Sequence, residues 1–232
     1  MAKERDEKSM EHWDGVHRYV REVFGEQEAA LAAIMPRAVA AGVPAIAVDA
    51  SVGRLLKMLC GMTGGGRGAS LALELGALAG YSAVWIARGL CRDPAGRLIT
   101  LEPEPAHADV AARSLASAGV DDRVEIRRAP ALEEIPRLRK EFGDSSLDFV
   151  FIDAVKAEYL DYFTALRPMV RRGGLIVADN VLGAGWWITD EPGSDPSRDA
   201  IDRFNRAVAA DPWFEAACVP LREGLLVARR LG

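Results

Sequence analysis

The fold is decided by the stretch Leu73-Glu74-Leu75-Gly76-Ala77-Leu78-Ala79-Gly80-Tyr81-Ser82. It is an apolar strand that ends in an acidic residue and a glycine-rich turn. Gly76 and Gly80 let backbone amides approach a ligand, because neither carries a Cβ atom. Their spacing departs from the GxGxxG pattern of dinucleotide sites. The stretch therefore predicts a nucleoside-cofactor turn, and a plain strand-to-helix turn is the alternative.

Short apolar runs alternate with helical patterns after this stretch. We predict strands at 70–75, 97–101, 123–128, 147–152 and 174–178, and helices near 80–91, 105–118, 131–141 and 157–167. Such alternation is typical of right-handed βαβ units in a parallel sheet covered on both faces. A further helix is predicted at about 198–210, before strands at 214–219 and 224–229. Their link is too short for a crossover helix, so the last strand must run antiparallel to its neighbour.

The N-terminal part has a different pattern. Residues 1–12 hold almost no apolar side chain and are expected to be a solvated arm. One or two helices are predicted between His17 and Ala41, and Gly42-Val43-Pro44 ends them. Ser51 is the expected cap of a helix over Val52–Met62. We expect one domain, 1–232, with an N-terminal helical cap at about 13–62.

The composition is that of an ordinary globular protein. The 232 residues are 50% hydrophobic and 27% charged, with a net charge of −5 and an isoelectric point near 5.4. Such a chain has no basic field for phosphate backbones, so nucleic acid is not an expected partner. The cysteines, Cys60, Cys91 and Cys218, form no CxxC pair and are expected to be reduced and largely buried. The charged N-terminus leads into no apolar run, so we expect a soluble cytoplasmic protein that does not enter a membrane.

Four acidic residues stand at predicted strand ends: Glu74, Glu102, Asp153 and Asp179. Ligands of open α/β sheets bind outside the carboxyl ends of the strands, so these carboxylates should converge on one edge. Glu102 ends the second strand, where an acidic side chain accepts the two ribose hydroxyls of a bound nucleoside. A solvent-facing glutamate is the alternative.

Asp153, Asp179 and Asn180 supply oxygen ligands without sulfur or imidazole. This set favours Mg²⁺, or another hard cation such as Mn²⁺ or Ca²⁺, over zinc. Three protein ligands in an octahedral shell leave room for two substrate oxygens and a water. A vicinal diol is therefore the expected ligand. A simple turn at Asp179-Asn180 is the alternative.

Together these motifs resemble the cation-dependent O-methyltransferases that use S-adenosylmethionine (SAM), the group that includes catechol and caffeoyl-CoA O-methyltransferase. The matching pieces run from about Val48 to Arg229 in the family order: the turn 74–82, Leu101-Glu102, Ala129-Pro130-Ala131-Leu132, Asp153 with Lys156, Asp179-Asn180 and Glu223-Gly224-Leu225. The resemblance implies a doubly wound, seven-stranded, mostly parallel sheet of the Rossmann-like class I methyltransferases, with an antiparallel C-terminal hairpin.

The resemblance also implies residue roles. Ser82 and the backbone around Gly76 and Gly80 would hold the methionine part of SAM, with Glu74 and Asp153 close by. Ala129–Leu132, and within it Ala131, would line the adenine. Lys156 would be the catalytic base, since the ammonium form is disfavoured beside a cation; an exposed lysine at a helix start is the alternative. Val155 departs from the caffeoyl-CoA subgroup, where a second aspartate is common.

Two further groups have weaker assignments. Trp186 and Trp187 lie in a glycine- and proline-rich segment, 181–197, where aromatic side chains clamp a flat acceptor or pack on the protein body. His12, Trp13 and His17 would cover a partner's site in the homodimer that we expect, or pack on the surface.

The sequence thus predicts a Mg²⁺-dependent SAM O-methyltransferase acting on a small aromatic diol. Three alternatives remain open: methylation of a modified tRNA nucleoside, a non-catalytic SAM-fold binding protein, and a nicotinamide dehydrogenase. The missing GxGxxG spacing disfavours the last of these.

Overall fold

Seven strands and nine helices make up the part of the chain described by the computed structural model, which is residue 13 and residues 15–232, without the side chains of 184–186. The strands are β1 (Leu71–Leu75), β2 (Arg97–Leu101), β3 (Val124–Arg127), β4 (Leu147–Ile152), β5 (Val170–Ala178), β6 (Phe214–Val219) and β7 (Leu225–Arg230). The helices are α1 (15–24), α2 (Ala29–Ala32), α3 (Ile34–Ala40), α4 (Ala50–Gly66), α5 (Tyr81–Ala87), α6 (Pro105–Ser117), α7 (Ala131–Phe142), α8 (Tyr159–Leu166) and α9 (Pro196–Ala210).

All strands belong to one sheet with the order β3-β2-β1-β4-β5-β7-β6. The first five strands in this order are parallel, whereas β7 runs antiparallel to both β5 and β6. The predicted doubly wound sheet with a C-terminal hairpin is confirmed. The order changes direction between β1 and β4, which is where ligands bind in such sheets.

The apolar strands are buried on both faces, as β4 illustrates. Phe149 and Phe151 of this strand join the apolar cluster under α4 and α5, whereas Val150 and Ile152 join the cluster under α7, α8 and α9. Successive side chains of a strand point to opposite faces, so an unbroken apolar run requires cover on both. On the second face, the buried Phe204 of α9 meets the ring of Tyr159 edge-on at a centroid distance of 5.4 Å.

Several boundaries differ from the predictions, and the N-terminal segment that includes His17 to Ala41 forms three helices rather than one or two. Asp49, not Ser51, caps α4, because its carboxylate accepts the backbone N–H groups of Ser51 and Val52. Strand β5 begins at Val170 rather than 174, since Val170 pairs with Leu147 ahead of a register shift. Helix α5 ends at Ala87, several residues before the predicted end.

The cysteines are free thiols, as predicted, and two of them are buried. Cys218 is exposed, because it lies on β6 at the edge of the sheet. Among the described residues, no helix has both the length and the apolar character needed to cross a bilayer.

Gly76 makes the close contact on which the centre of the sheet depends. It follows β1 with a φ of +97°, and a Cβ atom there would lie 2.2 Å from the carbonyl oxygen of Asp153, which follows β4. Only glycine combines this left-handed conformation with so close an approach. The end of β1 therefore lies directly against the end of β4.

We expect Gly76→Ala to destabilise the protein more than Gly119→Ala does, by about 1–3 kcal/mol. Gly119 is the matched control, because it also has a positive φ, +65°, but a Cβ atom there would have no neighbour within 4 Å. The free energy of unfolding in urea measures both losses. Equal losses would show that the contact with Asp153 imposes no constraint.

Candidate active site

Four residues that directly follow their strands continue the hydrogen bonding of the parallel sheet. Their backbone N–H groups each donate across 3.0 Å to the neighbouring strand, Glu102 to Arg127, Gly76 to Leu101, Asp153 to Leu75 and Asp179 to Ile152. These positions are therefore equivalent on four adjacent strands. The register brings Glu102, Asp153 and Asp179 to one edge, whereas Glu74, the fourth acidic residue of the prediction, lies inside β1.

A cavity of about 600 Å³ opens at that edge. Its walls come from four parts of the chain: residues 45–48, the turn 76–82 with Glu102, residues 153–156, and Asn180 with Arg222 and Glu223. Of the predicted cofactor residues, Gly76, Ser82, Glu102 and Asp153 line the cavity, together with Asn180 and Lys156. The predicted metal ligand Asp179 is buried next to Asn180 and is not among the lining residues.

Glu102 lines the cofactor side with a fixed orientation. One carboxylate oxygen accepts the backbone N–H of Leu78 at 2.8 Å, and the other accepts that of Glu104 at 3.0 Å. The residue is only 6% exposed. Each oxygen keeps a lone pair, so the carboxylate is positioned to accept hydroxyl groups from the cavity.

Glu74 lies beneath the cofactor turn and is not among the residues that line the cavity. It is fully buried, and the Thr100 hydroxyl donates to its carboxylate at 2.5 Å. Burial raises the pKa of Glu74 to about 7, against the opposing hydrogen bonds from Thr100 and Ser82. Ser82 does line the cavity. Glu74 therefore contacts the cavity only through its hydrogen bond with Ser82.

Asp153, Asp179 and Asn180 lie together on the opposite side. Burial raises the pKa of Asp179 to about 7, and the negative charge of Asp153 adds to this rise. Asn180 has a left-handed backbone with a φ of +60°, which asparagine tolerates better than most residues. Its side-chain nitrogen donates to Glu223, which leaves the amide oxygen as an acceptor.

The donor set fits a hard divalent cation. Asp179 Oδ1 is buried and has no hydrogen-bond partner in the described part of the chain, a costly state that a cation would relieve. The described residues contain no group of three or more His, Cys, Asp or Glu side chains placed to hold a metal. The predicted ligands Asp153, Asp179 and Asn180 are not such a group, because the third ligand is an amide oxygen.

Lys156 is held between two oxygens at the same edge. Its Nζ donates to Asp153 Oδ1 at 2.9 Å and to the hydroxyl of Tyr159 at 2.5 Å. That buried hydroxyl also lies 3.2 Å from the carbonyl oxygen of Asp179 and 3.3 Å from that of Ile152. Burial keeps the pKa of Tyr159 well above that of an ordinary phenol, so the hydroxyl stays neutral. Tyr159 thus positions Lys156.

The sequence interpretation missed several residues in or beside the site. Tyr159 occupies an apolar helical position, which gives no sign of a polar role. Residues 45–48 follow a helix-ending segment without any recognisable pattern. Glu223 belongs to the segment Glu223-Gly224-Leu225, which resembles the family, but no role was predicted for it or for Arg222.

Other predicted residues lie away from the cavity lining. Ala131 is buried at the start of α7. Trp187 is half-buried in the second apolar cluster, and a Cβ atom on Gly183 would lie within 2 Å of its ring. The side chain of Trp186 and the whole of His12 lie outside the described residues.

Trp13 and His17 lie near each other at the N-terminal end of the described chain, with ring centroids 6.1 Å apart. Their predicted role at a dimer partner's site stays a prediction.

Comparison with known proteins connects this geometry to a family. A family model described as O-methyltransferase matches residues 22–231. A catechol O-methyltransferase from Niastella koreensis is 37% identical over 209 residues, which cover 90% of this chain and 91% of that protein.

Two solved structures are similar over nearly their whole length. The O-methyltransferase from Bacillus cereus in complex with SAH has a TM-score of 0.84 at 33% identity, covering 95% of this chain and 99% of that one. TomG from Streptomyces achromogenes, an O-methyltransferase involved in tomaymycin synthesis and solved with SAM, has a TM-score of 0.83 at 32% identity, covering 96% and 98%. The family suggested by the motifs is confirmed, and the chain belongs to the SAM-dependent O-methyltransferases of the catechol and caffeoyl-CoA type.

Proposed function

We propose that this enzyme transfers the methyl group of SAM to one hydroxyl of a small vicinal diol, a catechol-like acceptor, with the help of a divalent cation such as Mg²⁺. The observation that carries the proposal is the shared edge of Asp153, Asp179, Asn180 and Lys156, directly across from the cofactor turn. An oxygen-only ligand set beside a base and a SAM site suits an acceptor with two adjacent oxygens.

Asp153, Asp179 and Asn180 would hold the cation. A cation held there would supply Lewis-acid chemistry that lowers the pKa of the reacting hydroxyl. Two observations support this assignment: Asp179 Oδ1 has no hydrogen-bond partner among the described residues, and Asn180 donates its amide N–H to Glu223, which leaves the amide oxygen as an acceptor.

Lys156 would serve as the base. Tyr159 and Asp153 keep its Nζ at a fixed position. The amine accepts the hydroxyl proton, and the oxygen then forms a bond to the methyl carbon while the carbon–sulfur bond breaks. The sulfur keeps the electron pair and leaves as a neutral thioether. Charge is cancelled in this step, so the orientation of both reactants matters most.

The experiment that tests this function is incubation of the protein with labelled SAM and either catechol, phenol or bulk tRNA. We expect Mg²⁺-dependent labelling of catechol alone, with loss of labelling in EDTA and recovery on addition of Mg²⁺. Turnover only on tRNA, falling steeply as salt rises, would favour the nucleoside alternative instead.

Asp179→Asn should lower kcat/KM for catechol by about 100-fold or more, since a bound cation contributes several kcal/mol of charge stabilisation. Asp144→Asn is the matched control, because Asp144 pairs with Arg139 at an exposed site and should leave the rate unchanged. Steady-state kinetics at saturating SAM measure the difference. Full activity of the Asp179 variant would rule out its role as a ligand.

Lys156→Met should lower kcat by about 10²–10⁴-fold. Tyr159→Phe should lower it by about 10-fold, as expected for one lost hydrogen bond to a charged group. Both variants should bind SAM normally in calorimetry, whereas Glu102→Ala should weaken SAM binding by about 1.5–3 kcal/mol. An equal loss of SAM affinity in all three variants would show that the roles are misassigned, that is, that Lys156 and Tyr159 act in SAM binding as Glu102 does.

A further inference from the structure

Arg222 is one of two cationic side chains among the described residues that line the cavity, and the other is Lys156. Lys156 is engaged at short distances by Asp153 and Tyr159. The guanidinium of Arg222 instead lies 3.4 Å from the carbonyl oxygen of Ala47 and 3.5 Å from Glu223. Good N–H···O bonds measure about 2.7–3.2 Å, and a guanidinium offers five donors. Most of its hydrogen-bonding capacity is therefore available to a ligand.

The backbone at Arg222 is in an unusual conformation for so large a residue. Its φ is +52°, in the left-handed region that favours glycine, within the tight turn between β6 and β7. Such backbone strain costs about 1–3 kcal/mol and clusters at functional sites. Here the turn brings the guanidinium across the cavity to the segment 45–48.

The surroundings of Arg222 indicate where a ligand would sit. The neighbouring residue Glu223 accepts a hydrogen bond from Asn180. The positive charge of Arg222 favours the ionised form of Asp179 and so opposes the rise in the pKa of that carboxyl group. A group bound to Arg222 would thus lie beside Asp179 and Asn180, which we assign to the cation. Ile46 and Val155 line the same cavity with exposures of 68% and 56%, and they offer apolar surface to a flat ring.

We propose that Arg222 determines acceptor specificity by binding a carboxylate that the diol carries on its ring or on a short side chain. This assignment rests on the proposed function. The planar fork of a guanidinium matches the two oxygens of a carboxylate, and the pair forms strong charge-assisted hydrogen bonds. Glu102, Asp153 and Glu223 also line the cavity, so an anionic acceptor would be repelled without such a cation.

The test compares 3,4-dihydroxybenzoate with 3,4-dihydroxybenzamide, which has nearly the same shape but no charge. Arg222→Gly should lower kcat/KM for the benzoate by about 10- to 100-fold and leave the value for the benzamide nearly unchanged. Glycine suits the left-handed backbone, so the turn should be retained. Arg222→Met, which keeps a long side chain without the charge, should show the same selective loss.

Arg229→Met is the matched control. It removes an equal charge from the same hairpin at an exposed position outside the cavity lining, and it should change neither rate. Equal losses for both diols in the Arg222 variants, or an unchanged rate with the benzoate, would overturn the assignment. Wild-type turnover of the benzamide alone would overturn it while leaving the proposed function intact. Turnover of neither diol would contradict both.

Discussion

The contact between Gly76 and the backbone of Asp153 is the constraint on which the site depends. The two strands that meet there, β1 and β4, are where the sheet changes direction, and a side chain at Gly76 would hold their ends apart. Because the ends of β1 and β4 touch, the cofactor turn after β1 and the predicted metal ligand Asp153 after β4 form adjoining walls of one cavity. Methyl transfer requires the donor and acceptor to be in line and close, and this contact brings their binding sites together.

Electrostatics is the second feature that organises the site. Several carboxylates are gathered at one edge, and two of them, Glu74 and Asp179, are buried deeply enough for the pKa of each to rise to about 7. Burying like charges is costly unless cations or hydrogen bonds compensate. One oxygen of Glu74 accepts the Thr100 hydroxyl, while the other oxygen of Glu74 and Oδ1 of Asp179 have no hydrogen-bond partner among the described residues. Of these two residues, Asp179 lies beside Asn180, where we propose that a cation binds.

Much of the fold was predictable from local pattern. The apolar run of β4 requires cover on both faces, and the short link before β7 requires an antiparallel hairpin. The shared location of Glu102, Asp153 and Asp179 was also predictable, because the carboxyl ends of parallel strands meet at one edge of the sheet. Details that depend on competing local hydrogen bonds were not predictable, as the cap of α4 illustrates, where Asp49 replaces the expected Ser51.

Residues that reach the site through tertiary packing were also missed. Tyr159 is buried like a core aromatic, and its hydroxyl acquires a role only because α8 lies across the ends of β4 and β5. Arg222 lines the cavity from the turn between β6 and β7, which is distant in sequence from the predicted site residues. Trp187 packs against Gly183, which is the alternative that its loop position allowed, and its role at a substrate stays a prediction.

The central claim is that a cation held by Asp153, Asp179 and Asn180 binds the diol. Calorimetric titration of catechol into metal-free protein saturated with SAH, before and after addition of Mg²⁺, tests it most directly. We expect catechol to bind measurably only with Mg²⁺ present, and phenol, with one hydroxyl, to gain little from the metal. Equal affinity for catechol with and without Mg²⁺ would contradict the claim.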